Sequence, residues 1–333
     1  MRPLARFVLC TLLGGLILGC GAAATPTDAA IDAASDTAKP DTAVEDTAPP
    51  VVLPDTPLTL SVVTYNVGRF FDTTCDTGRC GNFDFEMYPT PSQYQARLDE
   101  VGKAIVALDA DIVLLQEIEN TSCFNDLLAK VGSKYAVQIL GETGAPGSLD
   151  VAVLARGVHL ETVTHRDYSF QGPNGDWTTF SREFLEVHVE IAGWRIVLFN
   201  AHFKSKTGDD PERRLAEATK AQELVVATVA KYPHALVVMG GDLNDVPGSK
   251  PLEAIALDGA LMRVASDIPA GEDWTFHHSG NLVALDHLYL ARDANGAYVG
   301  GSAAVWRDES AFGWGGSDHG ALKATFRLDP PTR

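Results

Sequence analysis

The sequence predicts an α/β layered domain, and three observations carry that prediction. Short β-branched, apolar runs recur along most of the chain, which is how buried strands read. Two longer segments instead space their apolar residues at helical intervals. Several of the runs also end in groups that bind metal or move protons: Val62-Val63-Thr64-Tyr65-Asn66, Ile112-Val113-Leu114-Leu115-Gln116-Glu117, Ile196-Val197-Leu198-Phe199-Asn200-Ala201-His202 and Leu236-Val237-Val238-Met239-Gly240-Gly241-Asp242-Leu243-Asn244. A further polar site, Ser317-Asp318-His319, lies in a Gly-rich loop. One strand ending in Asn or Asp is an ordinary turn. Repeated endings of this kind, all suited to metal and phosphate chemistry, are not explained by turns alone.

Residues 58–67 read as a strand and 92–108 as a helix capped by Ser92, with Leu98, Val101, Ile105 and Leu108 on one face. Residues 111–117 read as a buried strand, and strands then dominate at 135–140, 150–155, 178–191 and 194–202. A long helix follows to about Lys231, with Asp210 as its N-cap and Pro211 at its first position, where the missing N–H costs nothing. Strands at 236–241, 285–290, about 298–306 and 321–328 complete the set. Two segments, 70–91 and 168–177, show no clear period and are expected to form the rim of a site and select substrate. No internal repeat is apparent, and residues 58–333 suffice for one large domain.

The N-terminus reads differently. Arg2 and Arg6 precede an apolar run over 7–18, shorter than the roughly 20 apolar residues that span a membrane, so residues 1–19 are expected to be a signal peptide. Ile17-Leu18-Gly19-Cys20 resembles a bacterial lipobox, with Ile17 where Leu is usual. Cys20 is then the lipidated first residue of an exported, outer-membrane-tethered protein, with simple secretion to the periplasm or beyond as the alternative. Residues 20–57 are Ala, Thr, Asp and Pro with almost no large apolar side chain. They cannot offset the entropy of ordering and are expected to be a disordered tether.

The formal net charge is −18, and the part beyond the tether remains acidic. That argues against a broad electrostatic grip on nucleic acid, which depends on Lys and Arg displacing counterions. A nuclease is not excluded, because clustered carboxylates are what hard divalent cations need and a local basic patch can still hold one phosphate. After Cys20 the chain has Cys75, Cys80 and Cys123. In an exported protein, Cys75 and Cys80 most simply close a small disulfide loop and leave Cys123 unpaired, with a pairing to Cys123 also open. Nothing in their spacing suggests a metal site.

Hydrolysis of a phosphate ester needs an attacking water, charge neutralisation on the phosphoryl oxygens and help for the departing oxygen. Glu117, a carboxylate ending an apolar strand, is the first candidate metal ligand. Mg²⁺ keeps several waters and takes one or two carboxylates, so Glu117 with Asn66 and Asp318 nearby is chemically sufficient. Asp318 and His319 are adjacent, so both reach one site only if the chain is still turning there. Arg182 can clamp a phosphate bidentately, and Lys204, Lys206, Arg213 and Arg214 form a basic cluster beside His202. His277 and His278 lack the spacing of a closed zinc site and read as rim or structural residues.

Asn66 in TYNVGRF, Glu117 in LLQEIEN, His202 in NAHFKSK, Asp242 and Asn244 in GDLND, Asp286 in LDHLYL, and Asp318 and His319 in SDH occur in this order over about residues 58–330. Together they resemble the endonuclease/exonuclease/phosphatase superfamily, the deoxyribonuclease-I-like hydrolases. Each motif alone is weakly specific; their order and spacing together are strongly so. The resemblance implies a four-layer α-β-β-α sandwich of two mainly antiparallel sheets flanked by helices. It also implies Mg²⁺ or Mn²⁺ as cofactor, His319 as catalytic imidazole with Asp286 as its carboxylate partner, and His202 as a ligand of the phosphate or donor to the leaving oxygen. Asp242 and Asn244 would grip the attacking water and a phosphate oxygen, while the general base stays open between Asp242 and the His319 and Asp286 pair.

The leading expectation is a metal-dependent phosphodiesterase acting on nucleic acid. A phospholipid or sugar-phosphate phosphoesterase, mildly favoured by the acidic charge, is the second. A tethered binding module without turnover is the third, since a fold by itself does not define activity.

Overall fold

Thirteen residues of alternating and then continuous apolar character make β1 (Leu58–Phe70) the spine of the first sheet. The computed structural model describes residues 53–330 apart from 82, 270, 279 and 309–312. The expected signal peptide, Cys20 and the tether up to residue 52 lie outside the described residues. Residues 53–57, ahead of β1, already touch the domain. Leu53 packs on the core and the Thr56 carbonyl accepts a bond from Trp194 Nε1 at 3.1 Å.

After β1 come α1 (Pro91–Leu108), β2 (Ile112–Ile118), α2 (Thr121–Val131), β3 (Val137–Gly141), β4 (Asp150–Ala155) and β5 (Val158–Thr164). A short hairpin, β6 (Phe170–Gln171) and β7 (Trp177–Thr178), precedes β8 (Leu185–Ile191), β9 (Trp194–His202), α3 (Pro211–Lys231), β10 (Leu236–Asp242) and α4 (Lys250–Ile255). The chain ends through β11 (Leu261–Arg263), the hairpin β12 (Phe276–His278) and β13 (Asn281–Val283), then β14 (Asp286–Ala291), β15 (Ala297–Tyr298), β16 (Ala304–Trp306) and β17 (Ala321–Leu328).

One large sheet runs β15-β17-β1-β2-β4-β3 with β16 beside β17, the other β11-β14-β10-β9-β8-β5. Pairing is antiparallel except for β1 with β2 and β9 with β10. Leu60, Val62, Leu114 and Val153 from one sheet and Val187, Leu198, Val238 and Leu288 from the other fill the space between them. The outer face of the first sheet is covered by Leu98, Val101 and Ile105 of α1 and Phe124 and Leu127 of α2, and that of the second by Ala218, Ala221 and Val225 of α3. This is the four-layer sandwich that the resemblance implied.

Several local readings need correction. Thr90, not Ser92, caps α1: its hydroxyl accepts from the Gln93 N–H while Gln93 answers the Thr90 N–H, a reciprocal capping box with Pro91 at the first helical position. The run 178–191 is broken into β7 and β8 by a loop over 179–184 that carries Arg182. Helix α2 was not anticipated, although Asn120 caps it through a bond from the Cys123 N–H and Cys123, Phe124, Leu127 and Val131 recur at helical spacing. Cys75 and Cys80 form the local disulfide, and Cys123 is free and buried.

Candidate active site

Register explains why distant motifs meet. In the second sheet Asp242 stands opposite His202 of β9 and Asp286 of β14, so three strand ends present their polar residues side by side. Gly241 makes this possible: at φ +145° it passes so close to β9 that a Cβ would fall 1.9 Å from the Ala201 carbonyl oxygen. In the first sheet Asn66 stands opposite Gln116, and a register shift between Gln116 and Ile118 turns Glu117 into a positive φ of 68°. A non-glycine residue in that region carries strain, which concentrates at functional sites.

Hydrogen bonds tie the two sheets together at this end. Asn66 Nδ2 donates to Glu117 Oε1 at 3.1 Å and across the sandwich to Asp242 Oδ2 at 3.0 Å. Below it, Gln116 Nε2 donates to Asn200 Oδ1 at 2.8 Å, and Asn200 Nδ2 returns to the carbonyls of Leu115 and Ala152. Gln116 and Asn200 thus hold the sheets in place beneath the site. The Arg69 N–H fixes Glu117 through Oε2 at 2.6 Å.

The imidazoles come from both sides. His202 Nε2 lies 3.5 Å from Asp242 Oδ2 and 3.8 Å from Glu117 Oε1, and its Nδ1 is buried without a partner. His319 Nδ1 is 2.8 Å from Asp286 Oδ2, its Nε2 is 4.0 Å from Asp242, and the Phe276 ring packs on its face. The chain still turns at Asp318, as two adjacent residues at one site require: the Ser317 hydroxyl donates to the Asn66 carbonyl and accepts the His319 N–H. Asp318 is exposed on the rim, next to Gly68.

Burial and crowding set the charges. Asp242 is pushed up to about 7, first by burial and then by Asp286 and Glu117, with His319 pulling against them. Burial, then the positive charge of Arg182 and His319, holds His202 well below the ordinary imidazole range. Burial also works against a charged His319, but Asp286 with Asp242 and Asp318 outweighs it and raises the ring to about 10.

These groups face a cleft of about 730 Å³, lined also by Arg69, Phe85, Met87, Arg182, Lys206, Asn244, Phe276 and Asp318. Asn244, at φ 52°, bonds through its N–H to Asp242 Oδ1 and through Nδ2 to the Phe203 carbonyl. Arg182 reaches the cleft while donating to the Phe203 carbonyl at 3.0 Å. Lys204 does not line it: its ammonium folds back onto the carbonyls of Ser205 and Thr207, and Lys206 lies at the wall instead. The expected basic cluster is committed elsewhere, with Arg214 buried between Asp245 and Asp209 and Arg213 bonded to the Thr179 carbonyl. Of the two loops expected at the rim, the first supplies Phe85 and Met87. The second closes a separate hollow against Asp210 and Arg213. His277 belongs to no metal-competent group among the described residues.

Sequence reasoning missed Arg69. It ends the TYNVGR segment at φ 42°, lines the cleft, and lies with its guanidinium 5.4 Å from the centre of the Phe85 ring. The signal was an Arg within a few residues of a candidate ligand.

Glu117, His202 and Asp242 each offer a ligand atom within 4.8 Å of the others, as do Asp242, Asp286 and His319. The first group offers two carboxylates and one imidazole, a set rich enough in oxygen for a hard divalent cation, and the Asn66 NH2 holds both carboxylates in place. The residues present fit such an ion.

The chain belongs to the Endonuclease/Exonuclease/phosphatase family, whose model matches residues 61–260, a family of hydrolytic phosphoesterases. The inositol phosphosphingolipids phospholipase C of Schizosaccharomyces pombe is 27% identical over 180 residues, 51% of this chain and 42% of that protein, so the match spans less than half of that relative. Among solved structures, D. rerio TDP2 complexed with single strand DNA product has 17% identity and a TM-score of 0.56, covering 80% of this chain and 98% of that one. A Staphylococcus aureus beta toxin variant with bound magnesium ions has 18% identity and a TM-score of 0.54, covering 82% and 100%. At these identities the two structures establish the shared fold.

Proposed function

We propose that this protein is a divalent-metal-dependent phosphodiesterase acting on nucleic acid. The observation that carries this reading is the convergence of Asn66, Glu117, His202, Asp242, Asp286 and His319, from five strand ends and one turn, on a single cleft. Glu117 and Asn66 would hold Mg²⁺ or Mn²⁺, with Asp318 at the rim. When bound, the ion neutralises charge on the phosphoryl oxygens.

The protein's own groups do the rest. Asp286 holds the His319 ring through Nδ1 and leaves Nε2 facing Asp242, so the imidazole is oriented before substrate enters. His202 binds a phosphate oxygen or donates to the leaving oxygen. Asp242 and Asn244 position the attacking water, and its proton passes to Asp242 or to the His319 and Asp286 pair. Arg182 and Arg69 at the wall give a phosphate its cationic contacts despite the acidic whole, while Lys206 beside them is paired to Asp245 at 3.2 Å. That a TDP2 structure of the same fold holds single-stranded DNA supports this substrate.

One observation favours a second reading, a phospholipid phosphodiesterase. Phe83, Phe85, Met87 and Tyr88 are exposed along the first rim loop, whereas Glu86 is buried against the Asp76 and Thr77 N–H groups. That exposed edge is apolar, which suits a lipid surface better than a polyanion, and the S. pombe relative carries the name of a phospholipase. Purified protein assayed with Mg²⁺ or Mn²⁺ against plasmid, single-stranded DNA, RNA, sphingomyelin and a phosphomonoester panel separates the readings. Turnover of nucleic acid alone supports the first, turnover of lipid alone the second, and binding without turnover of any phosphoester leaves a non-catalytic module.

We also read the N-terminus as a lipoprotein signal that tethers the enzyme to the outer membrane through Cys20. Arg2, Arg6, the apolar run and the ILGC segment support this, and no helix among the described residues is long and apolar enough to cross a membrane. Cys20→Ser should move the protein out of the membrane fraction or leave it unprocessed. Unchanged distribution and mobility on a gel would reject the tether.

A further inference from the structure

Where β1 runs out into the disulfide loop, Asp72, Glu119 and Cys123 come together outside the candidate active site. A carboxylate oxygen from each acid and the Cys123 sulfur lie within 4.8 Å of one another. Glu119 and Cys123 are 2% and 0% exposed. Glu119 Oε2 accepts the Asp72 N–H at 2.6 Å and stands 3.8 Å from the sulfur, but Glu119 Oε1 is closed off from solvent with no hydrogen-bond partner. Among the described residues no lysine or arginine lies within ion-pair distance of either carboxylate.

Half-buried Asp72 has its oxygens answered by the Thr74 N–H and the Asn120 amide, so the cost falls on Glu119, buried beside it with a free oxygen and no cation paired to it. Buried charge in proteins is paired or binds metal. The spacing suits an ion, since tetrahedral ligands at about 2.3 Å for sulfur and about 2.0 Å for oxygen stand roughly 3.5 Å apart. We propose that Asp72, Glu119 and Cys123 form a second divalent-cation site, of mixed oxygen and thiolate character, that takes an ion of the Zn²⁺ class. Hard ions prefer oxygen, whereas a thiolate selects borderline and softer ones. The active-site donors include no sulfur, so the two sites sort different ions.

The placement gives the site a structural role. Asp72 opens the loop that carries Phe85 and Met87 to the cleft wall, while Glu119 and Cys123 belong to the junction of β2 and α2. An ion held between them ties the rim of the active site to its framework. On binding, the Cys123 thiol gives its proton to solvent and its sulfur becomes the ligand.

The test uses the full chain with its disulfide intact, stripped of metal, freed of chelator and titrated with Co²⁺. A thiolate-to-cobalt charge-transfer band should appear in the near ultraviolet, which the active site, having no thiol among its described residues, cannot produce. Zn²⁺ should displace it and excess Mg²⁺ should not. Cys123→Ser should abolish the band, and Asp72→Asn and Glu119→Gln should weaken Co²⁺ binding there by roughly tenfold or more, as metal sites do when they lose a supporting group. Circular dichroism checks that each variant is folded, and Asp72→Asn, at a half-buried position, serves if the Cys123 variant is not. Co²⁺ bound by the unmodified chain without the band overturns the proposal. So does a band that survives in a folded Cys123 variant, or an unchanged Co²⁺ affinity in a folded Asp72 variant.

Discussion

Two buried histidine and carboxylate clusters take their carboxylates from the same sheet, and only one of them is built to react. In the first, His319 meets Asp286 at 2.8 Å; in the second, Glu186 of β8 accepts from His165 at 2.8 Å and from His188 at 2.7 Å. The second is shut away from the cleft, although His165 Nδ1 has no partner. Glu186 also takes the Thr228 hydroxyl of α3, His188 Nδ1 accepts from Arg195, and Arg195 lies 4.6 Å from the centre of the Tyr232 ring. The first is left open, with Asp286 Oδ1 unpartnered and His319 Nε2 turned toward Asp242 and the cleft. Proximity of a histidine to a carboxylate is therefore not the sign of catalysis. Unspent bonding capacity at an accessible edge is.

The charges follow the same division. Burial works against ionised Glu186, but bonds from His165 and His188 outweigh it and bring the carboxyl down to about 2. Asp242, buried among other carboxylates, is instead driven up to about 7. One cluster has traded reactivity for stability, while the other keeps an electrostatic conflict that a cation would relieve.

The largest expected effect separates the clusters outright. Chelation by EDTA should abolish turnover and Mg²⁺ or Mn²⁺ should restore it, while Glu117→Ala weakens metal binding, followed by calorimetry, in a chain that still melts cooperatively. Full activity in chelator would remove the metal from the first cluster. Next, His319→Ala and His202→Ala should each slow single turnover by roughly 10² or more, the scale of lost acid or base catalysis, with substrate affinity changing far less. Asp286→Asn should reproduce part of the His319 loss. His165→Ala should leave the rate per folded molecule near that of the unaltered protein, and a comparable slowing there would erase the distinction.

A third test exchanges rate for stability. Glu186→Gln breaks a buried cluster of hydrogen bonds to a carboxylate and should cost about 3 kcal/mol of folding stability in denaturant melts, with turnover kept. The sign with pH is fixed by the depressed carboxyl. Its contribution is present above the ordinary value of 4.5 and is lost as pH falls toward about 2, so the gap between the two proteins should narrow over that window. A gap that widens in acid would contradict the assignment.

How legible was this from sequence? The strand ends were, because β-branched runs stopping at Asn66, Glu117, His202 and Asp242 combine a periodic signal with an abrupt change of chemistry. Helix α2 is hard to read because its apolar stripe spans only 11 residues and follows directly on the LLQEIEN segment, with no break in composition between them. The basic cluster misled because spacing shows that cations are near one another but not what they bond. Arg214 is spent on Asp245 and Asp209, and Lys204 on carbonyls of its own loop. The His165, Glu186 and His188 cluster left no motif at all, since its members meet only when β8 pairs with β5 and α3 packs over them.

The smallest expected effect compares the two arginines that lie on aromatic rings. Arg195 rests against Tyr232 with a bond to His188 and has nothing further to offer, whereas Arg69 rests against Phe85 at the cleft with no carboxylate partner among the described residues. An exposed charge contributes little in water, of order 1 kcal/mol. Arg69→Ala should therefore raise KM by roughly fivefold with kcat nearly unchanged. Because the contact is with a charged phosphate at an open rim, the effect should shrink as salt is raised. Arg195→Ala should leave both constants alone and lower Tm instead. Equal kinetic effects from the two, or a salt-independent loss at Arg69, would show that Arg69 supports the loop rather than meeting the substrate.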